Sequence, residues 1–185
     1  MPSEQELERA LEAARDGAEW AWREIYDSLA PAVIGYLRAR GAAEPEDLAG
    51  EVFVQVVRDL PAFDGDARGF RSWAFTIARN RLLDDARRRA RRPAVSTAPS
   101  ALESAEVGGD VVDDALARLD LQRVTAILAT LSEDQRDVLL LRVVGDLTVE
   151  EVARVISKRP GAVKQLQRRG LAAVRKQLER EGALE

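Results

Sequence analysis

The clearest indication of the fold of this chain is in residues 147–169, LTVEEVARVISKRPGAVKQLQRR. Two helical patterns of apolar residues flank a Ser-Lys-Arg-Pro step at 157–160, and the residues from Thr148 to Glu151 form a capping box that predicts the start of a short helix. Pro160 suits the first turn of a longer second helix, which we expect to end near Glu179. A short helix, a tight turn and a longer helix have the spacing of a helix-turn-helix.

The longer helix is predicted to have two chemically different faces. A stripe of small and apolar residues must pack on other helices: Val163, Leu166, Gly170, Val174 and Leu178. At about 100° per residue, the long polar side chains fall mostly on the opposite side, and two more cations precede them in the turn. These are Lys158, Arg159, Lys164, Gln165, Arg168 and Arg169. Such a face suits DNA phosphates and base edges, but a solvated face on a helical hairpin has the same pattern.

The composition excludes several classes of site. The chain has 185 residues with no cysteine and no histidine, which rules out disulfides, thiolate zinc sites and Ser-His-Asp catalysis. The adjacent acidic pairs Asp84-Asp85 and Glu150-Glu151 would diverge on helices, so we predict no metal, no cofactor and no enzyme activity. The acidic N-terminus lacks the basic start of a signal peptide, and no apolar run approaches about 18 residues. We therefore expect a cytoplasmic protein.

Charge is segregated along the chain. Residues 1–60 carry 6 basic and 13 acidic side chains, residues 61–92 carry 9 and 4, residues 93–134 carry 2 and 8, and residues 135–185 carry 11 and 7. Two basic blocks therefore alternate with two acidic ones, and a polyanion could contact two separate surfaces. Ordinary solvated faces would give the same segregation.

The periodicity predicts an all-α protein with two small helical domains joined by a flexible linker. We divide the chain into an N-terminal extension (1–19), a first domain (20–92), a linker rich in Pro, Ser, Ala and Gly (93–114) and a helix-turn-helix domain (115–185). In the first domain one helix should end near Gly41 and be kinked or divided at Pro31. A second should run from Pro45 to about Leu60 with Val57 on its apolar face, and a third should start at Phe70 after a loop at 61–69. In the second domain we predict a helix at 111–131 and another that starts at a Ser132 capping box.

The first basic block has the residue types that capture single-stranded DNA. Cations next to aromatic and small polar side chains can accept unstacked bases. Six such residues lie within about twenty positions: Phe63, Arg71, Trp73, Arg79, Asn80 and Arg81. Trp73 and Ile77 are four apart on a helix, so Trp73 is also a candidate for the core.

Residues 47–66 (DLAGEVFVQVVRDLPAFDGD) and 69–89 (GFRSWAFTIARNRLLDDARRR) resemble region 2 of bacterial sigma factors of the extracytoplasmic-function (ECF) group. Residues 131–178 resemble region 4 of the same family. The resemblance implies a promoter-recognition subunit that binds core RNA polymerase, at its β′ coiled coil and β flap, and reads promoter DNA. It implies that region 2 reads the −10 element, with Arg87 and Arg88 at the upstream duplex edge, and that region 4 reads the −35 element.

The resemblance also assigns a polymerase-binding set to the second helix: Asp47, Leu48, Glu51, Phe53 and Arg58. The same pattern is equally compatible with Phe53 in the core and the other four side chains in solvent. It implies an anti-sigma protein as a further partner. The chain departs from the residues that the family often has at Gly50, Lys158 and Leu166. A helix-turn-helix repressor would explain residues 131–178 but not the Trp-Arg-Asn stretch, and a structural adaptor would explain neither basic block.

Overall fold

The computed structural model describes residues 4–91 and 123–180, and all regular structure within these ranges is helical. The first lobe contains α1 (Glu4–Arg15), α2 (Glu19–Ala39), α3 (Pro45–Asp59), a 3-10 turn (Leu60–Ala62) and α4 (Ala67–Arg91). The second lobe contains a helical segment at 123–129, α5 (Glu133–Val143), α6 (Val149–Val155) and α7 (Pro160–Arg180). The predicted all-α class is confirmed. The predicted linker at 93–114 and the first part of the helix predicted at 111–131 lie outside the described residues.

The first lobe is built around α2 and α4. Helix α1 packs on both of them, and so does α3. The apolar side chains that the 3.6-residue period places on one face of α2 are buried, among them Ile25, Leu29 and Val33. The helix ends as predicted, because Gly41 adopts a left-handed φ of 83° and the amide of Ala42 donates to the carbonyl of Leu37 (3.0 Å).

Two local expectations were wrong, and a third was wrong in one of its alternatives. Pro31 was expected to kink or divide α2, and it does not divide the helix, which is continuous through this exposed position. The loop expected at 61–69 is shorter, because a 3-10 turn forms at its start and α4 begins at Ala67, where Asp66 accepts a hydrogen bond from the amide of Gly69 (2.7 Å). Val57 was expected to face the core but is 48% exposed.

Local capping determines where the helices of the second lobe begin. Both predicted capping boxes are present, at Ser132 with Gln135 and at Thr148 with Glu151. The turn of the helix-turn-helix is closed by Ser157, which has a left-handed φ of 54°, and by a bond from the Lys158 amide to the Ala153 carbonyl (2.9 Å). Helix α7 then begins at Pro160, as predicted.

The two lobes are in contact and share one continuous apolar cluster. Helix α6 packs on α4, and α5 approaches α2. Gly145 lies at this junction, where a Cβ atom would be 2.7 Å from the Leu141 carbonyl oxygen and 3.2 Å from the Phe75 ring. A side chain at position 145 would therefore clash with the end of α5 and crowd the Phe75 ring across the junction.

Candidate nucleic-acid and polymerase interfaces

The polar face of α7 is exposed. Lys164, Gln165, Arg168 and Arg169 all point to solvent, and we call these four residues the α7 basic face. Within residues 4–91 and 123–180, none of their charged groups takes part in an ion pair. Their donors are therefore available to a ligand such as a phosphate or a base edge.

The opposite side of α7 holds this face in position. Val163 is fully buried, and Gly170 lies against Leu139, where an added Cβ would be 3.1 Å from the leucine Cδ1. In the turn, Arg159 is exposed, whereas Lys158 pairs with Asp134 of α5 (Nζ to Oδ2, 2.9 Å). The predicted −35 set therefore lies on one side of the helix-turn-helix, with Lys158 already bound to a carboxylate.

An aromatic cluster forms at the start of α4. The rings of Phe63 and Trp73 are stacked, with centroids 5.0 Å apart and 25° between their planes, and both are half-buried. Phe70 supports them from the core. Gly65 allows the chain to fold over Phe63, since a Cβ at position 65 would lie 2.5 Å from the ring. The stacked pair is therefore partly accessible at the surface of the first lobe.

Three of the predicted −10 residues share one face of α4. Trp73, Asn80 and Arg87 are seven residues apart, and a step of seven returns to the same side of a helix to within about 20°. Asn80 and Arg87 are exposed. We call this line of residues, with Phe63 stacked at its end, the α4 ridge.

Arg87 and Arg88 extend the basic character of the ridge to the end of α4. Arg87 pairs with Asp84 (2.8 Å), and Arg88 lies 3.7 Å from Asp85, with all contacts at the surface. Exposed ion pairs of this kind are weak and exchange readily for a phosphate partner.

Arg71 and Arg79 do not lie on the ridge. They are half-buried on the side of α4 that faces the second lobe, where Arg71 lines a cavity with Asp146 and Glu151. Arg79 donates from Nε to Oδ2 of Asp137 (2.9 Å). Arg81 lies on another side, where it contacts Gln55 and Glu51. Five of the six residues predicted to form one track are therefore distributed over three sides of α4, and Phe63 precedes the helix.

Helix α3 has a mixed outer face. Asp47, Glu51 and Arg58 are exposed on it, with Gly50 between them. Leu48 and Phe53, which belong to the same predicted set, are buried instead, at 6% and 8% exposure. Sequence reasoning missed Val54, which is 71% exposed on this face next to Val57. We call these exposed residues the α3 outer face.

A buried carboxylate connects the two lobes. Asp137 of α5 is 1% exposed and accepts a hydrogen bond from Tyr36 Oη (2.8 Å) in addition to the bond from Arg79. Arg40 Nε lies 2.7 Å from the same carboxylate, but its N–H is not aimed at it, so this contact is an ion pair rather than a hydrogen bond. We call these four residues the interlobe charge cluster.

The interlobe charge cluster was not predicted from the sequence. The only signal is an aspartate immediately before the apolar run 138–141, at a position where α5 must face the core. In the structure, burial raises the pKa of Tyr36 well above its usual range, and the neighbouring Asp137 raises it further. The hydroxyl is therefore held as a neutral donor.

The fold is that of an all-helical protein whose second lobe contains a helix-turn-helix. Sigma-70 region 2 matches residues 20–92, and sigma-70 region 4 matches residues 121–174. The chain is 33% identical over 172 residues to the ECF RNA polymerase sigma factor ShbA of Streptomyces griseus, a match that covers 88% of this chain and 90% of ShbA. It is 31% identical over 180 residues to SigD of Mycobacterium tuberculosis, covering 93% and 84% of the two chains. The chain therefore belongs to the ECF group of the sigma-70 family.

Two further comparisons extend this result. The chain is 32% identical over 163 residues to the ECF sigma factor BldN of Streptomyces coelicolor, a match that covers 87% of this chain but 61% of BldN. The solved structure of CnrH, in complex with the cytosolic domain of CnrY, has the same fold, with a TM-score of 0.70 over 94% of this chain and 97% of CnrH at 24% identity.

Membership of this family establishes the general function of the chain. The chain is a promoter-recognition subunit that directs transcription initiation, and its partners are core RNA polymerase and promoter DNA. It is an initiation factor and not an enzyme. No helix in the described ranges combines the length and apolar character needed to span a membrane.

Proposed function

We propose that the two basic surfaces divide promoter recognition between them. The α4 ridge would receive the melted −10 element, and the α7 basic face, with Lys158 and Arg159, would read the −35 duplex. One observation carries this assignment: the ridge combines a stacked aromatic pair with an exposed amide, whereas the α7 basic face combines three cations with one amide and has no aromatic ring. Aromatic planes suit unstacked bases, and a helix lined with donors suits the major groove.

In this proposal Phe63 and Trp73 stack on an unpaired base and Asn80 tests its edge, since an amide can donate and accept. Arg87 and Arg88 would contact phosphates at the upstream duplex edge. Arg71 and Arg79, which face the second lobe here, would reach DNA only after the lobes separate.

The α3 outer face is our candidate for the β′ coiled coil of the polymerase. Asp47, Glu51 and Arg58 supply charge around the exposed Val54, a mixture that suits a protein interface. Leu48 and Phe53 would shape this face from beneath. We propose that the second lobe binds the β flap.

We further propose that a partner protein of the anti-sigma type controls the factor, and that the chain acts in the cytoplasm. CnrH, which shares the fold, was solved in complex with the cytosolic domain of CnrY, and this complex motivates the search for a comparable partner. A tagged copy at native level should recover such a protein from unstressed cells. Recovery of polymerase subunits alone would contradict the proposal.

The division of promoter reading is tested by transcription with core polymerase and a library randomised at −35 and −10. The chain and core together should select specific sequences at both elements, and neither should do so alone. Substitution of Arg168 should then alter the base preferences at −35 only, and substitution of Asn80 should alter the base preferences at −10 only. Altered preferences at the opposite element would refute the assignment.

A further inference from the structure

Helix α1 lies outside the residues that match sigma-70 region 2, which begin at residue 20. It is nevertheless a well-packed part of the first lobe, because Leu7, Ala10, Leu11 and Ala14 are buried on its inner side. The sequence left open whether residues 1–19 form a helix or a tail. Because the buried apolar stripe of α1 packs on α2 and α4, α1 has a fixed position relative to the start of α4.

Two polar side chains of α1 hold the segment 63–67, which carries Phe63. Arg15 donates from Nη2 to the carbonyl oxygens of Phe63 (3.2 Å) and Gly65 (3.0 Å), and its guanidinium lies 6.0 Å from the centre of the Phe63 ring. Glu8 accepts a hydrogen bond from the amide of Ala67 (2.6 Å), the first residue of α4. These contacts join residues that are far apart in the sequence, by 48 positions for Arg15 and Phe63 and by 59 for Glu8 and Ala67.

The backbone of the segment makes few other hydrogen bonds. Residues 63–66 form no regular structure, and their own backbone bonds are confined to the ends, from the Phe63 amide to the Leu60 carbonyl and from the Phe70 amide to the Asp66 carbonyl. Between these ends, the carbonyls of Phe63 and Gly65 are bound by one guanidinium. Hydrogen bonds from a charged donor are stronger than neutral ones, so Arg15 restrains the backbone at the residue whose ring is stacked on Trp73.

We infer that α1 positions the base-reading segment 63–67, with Arg15 as the positioning residue, and that discrimination at the −10 element depends on it. The inference rests on the proposed role of Phe63. A recognition group selects between bases only when it is held near its productive geometry. Without Arg15, the segment would sample positions in which the Phe63 ring no longer meets the base at a defined angle.

The matched control is Arg9, which is on the same helix and lies over the Trp20 ring (5.6 Å), away from the segment. Arg9→Ala removes the same charge and a similar ring contact. Arg15→Lys keeps the charge but replaces a planar fork that can bind two carbonyls with a single ammonium.

The first measurement is amide hydrogen exchange at the bonded amides next to this segment, those of Ala67 (to Glu8) and Gly69 (to Asp66), in the full-length chain without DNA. Arg15→Ala should accelerate this exchange, Arg15→Lys should do so less, and Arg9→Ala should match the parent protein. Since Arg15 is exposed, the melting temperature should change little. Unchanged exchange in Arg15→Ala would overturn the inference without reference to promoter DNA.

The second measurement is the ratio of initiation by holoenzyme at the preferred −10 element and at one with its most discriminated base changed. Arg15→Ala should lower this ratio about tenfold, as expected for the loss of a charge-assisted hydrogen bond. The Phe63→Ala variant shows whether a negative result refutes the positioning role of Arg15 or the proposed −10 site itself. If Phe63→Ala lowers the ratio and Arg15→Ala does not, the inference is wrong. If Phe63→Ala itself leaves the ratio unchanged, the proposed −10 site is wrong.

Discussion

Asp137 accepts a hydrogen bond of 2.8 Å from the hydroxyl of Tyr36, a residue 101 positions earlier in the chain. Both side chains are buried, and the bond joins α5 of the second lobe to α2 of the first. Arg40 and Arg79 add two cations on the side of the first lobe. A single carboxylate therefore connects the second lobe to both α2 and α4 of the first lobe.

Loss of the charge on Asp137 should strongly destabilise the protein. Asp137→Asn keeps the shape but leaves Arg40, whose side chain is 5% exposed, without a counter-ion, and breaking a buried pair costs about 3 kcal/mol. Tyr36→Phe removes one hydrogen bond and should cost about 1.5 kcal/mol. Urea unfolding measures both changes in the free energy of unfolding.

The control for this change is Asp134→Asn on the same helix. Asp134 pairs with Lys158 at the surface, so its loss should cost less than about 1 kcal/mol. Equal effects of the two Asp→Asn changes would mean that the interlobe charge cluster does not hold the lobes together in solution.

Alkaline pH should destabilise the folded state through Tyr36. Its pKa is raised in the folded protein and returns to about 10.0 on unfolding, so the folded state binds the proton more tightly. The stabilising contribution is complete below pH 10 and is lost as the pH rises above it, by up to about 1.4 kcal/mol per pH unit. Comparison with Tyr36→Phe at each pH cancels the titration of lysines. Parallel curves for the two proteins would refute this prediction.

The α7 basic face should contribute to the salt dependence of −35 binding. Replacing Arg168 or Lys164 by alanine removes a phosphate contact and should reduce the slope of log K against log salt concentration by about 1. Holoenzyme binding to a −35 duplex at several salt concentrations measures this slope. Arg23→Ala, at an exposed position in α2, is the charge-matched control. An unchanged slope for both α7 variants would mean that this face does not contact DNA.

Asn80→Ala should impair promoter opening while leaving −35 binding nearly intact. Arg168→Ala should have the opposite effect, and its defect should shrink on templates already melted around −10. Permanganate footprints report the open DNA, and melting temperatures exclude a structural cause. A folded Asn80→Ala protein that opens promoters normally would remove Asn80 from the site.

A charge introduced at Val54 should weaken polymerase binding without unfolding the protein. Val54 is 71% exposed at the centre of the α3 outer face, so Val54→Glu should raise the Kd for a β′ coiled-coil fragment at least tenfold, as for loss of a central interface contact. Val143→Glu, at another exposed valine (78%) in the second lobe, is the control. If both variants bind as the parent protein does, the α3 outer face is not the polymerase interface.

Most of the helices could be read from the sequence because the signals for them are local. The two capping boxes join residues three apart, Gly41 ends α2 with its own backbone, and Pro160 starts α7. The α7 basic face followed from the helical period alone. The error at Val57 arose because a neighbouring helix, rather than the local sequence, determines which side chains are covered.

Which neighbour covers each face of a helix follows from the tertiary structure and not from the local sequence. The period of α4 places Arg79 and Asn80 about 100° apart, but it does not say that Arg79 meets a buried carboxylate while Asn80 meets solvent. The interlobe charge cluster and the contacts of Arg15 join residues 48 or more positions apart. Most helices and their caps could be read from the sequence because they depend on neighbours within one or two turns, and the class of protein followed from the resemblance of residues 47–66, 69–89 and 131–178 to a known family. The relation of the lobes and the support of segment 63–67 depend on packing between distant helices, which no local pattern encodes.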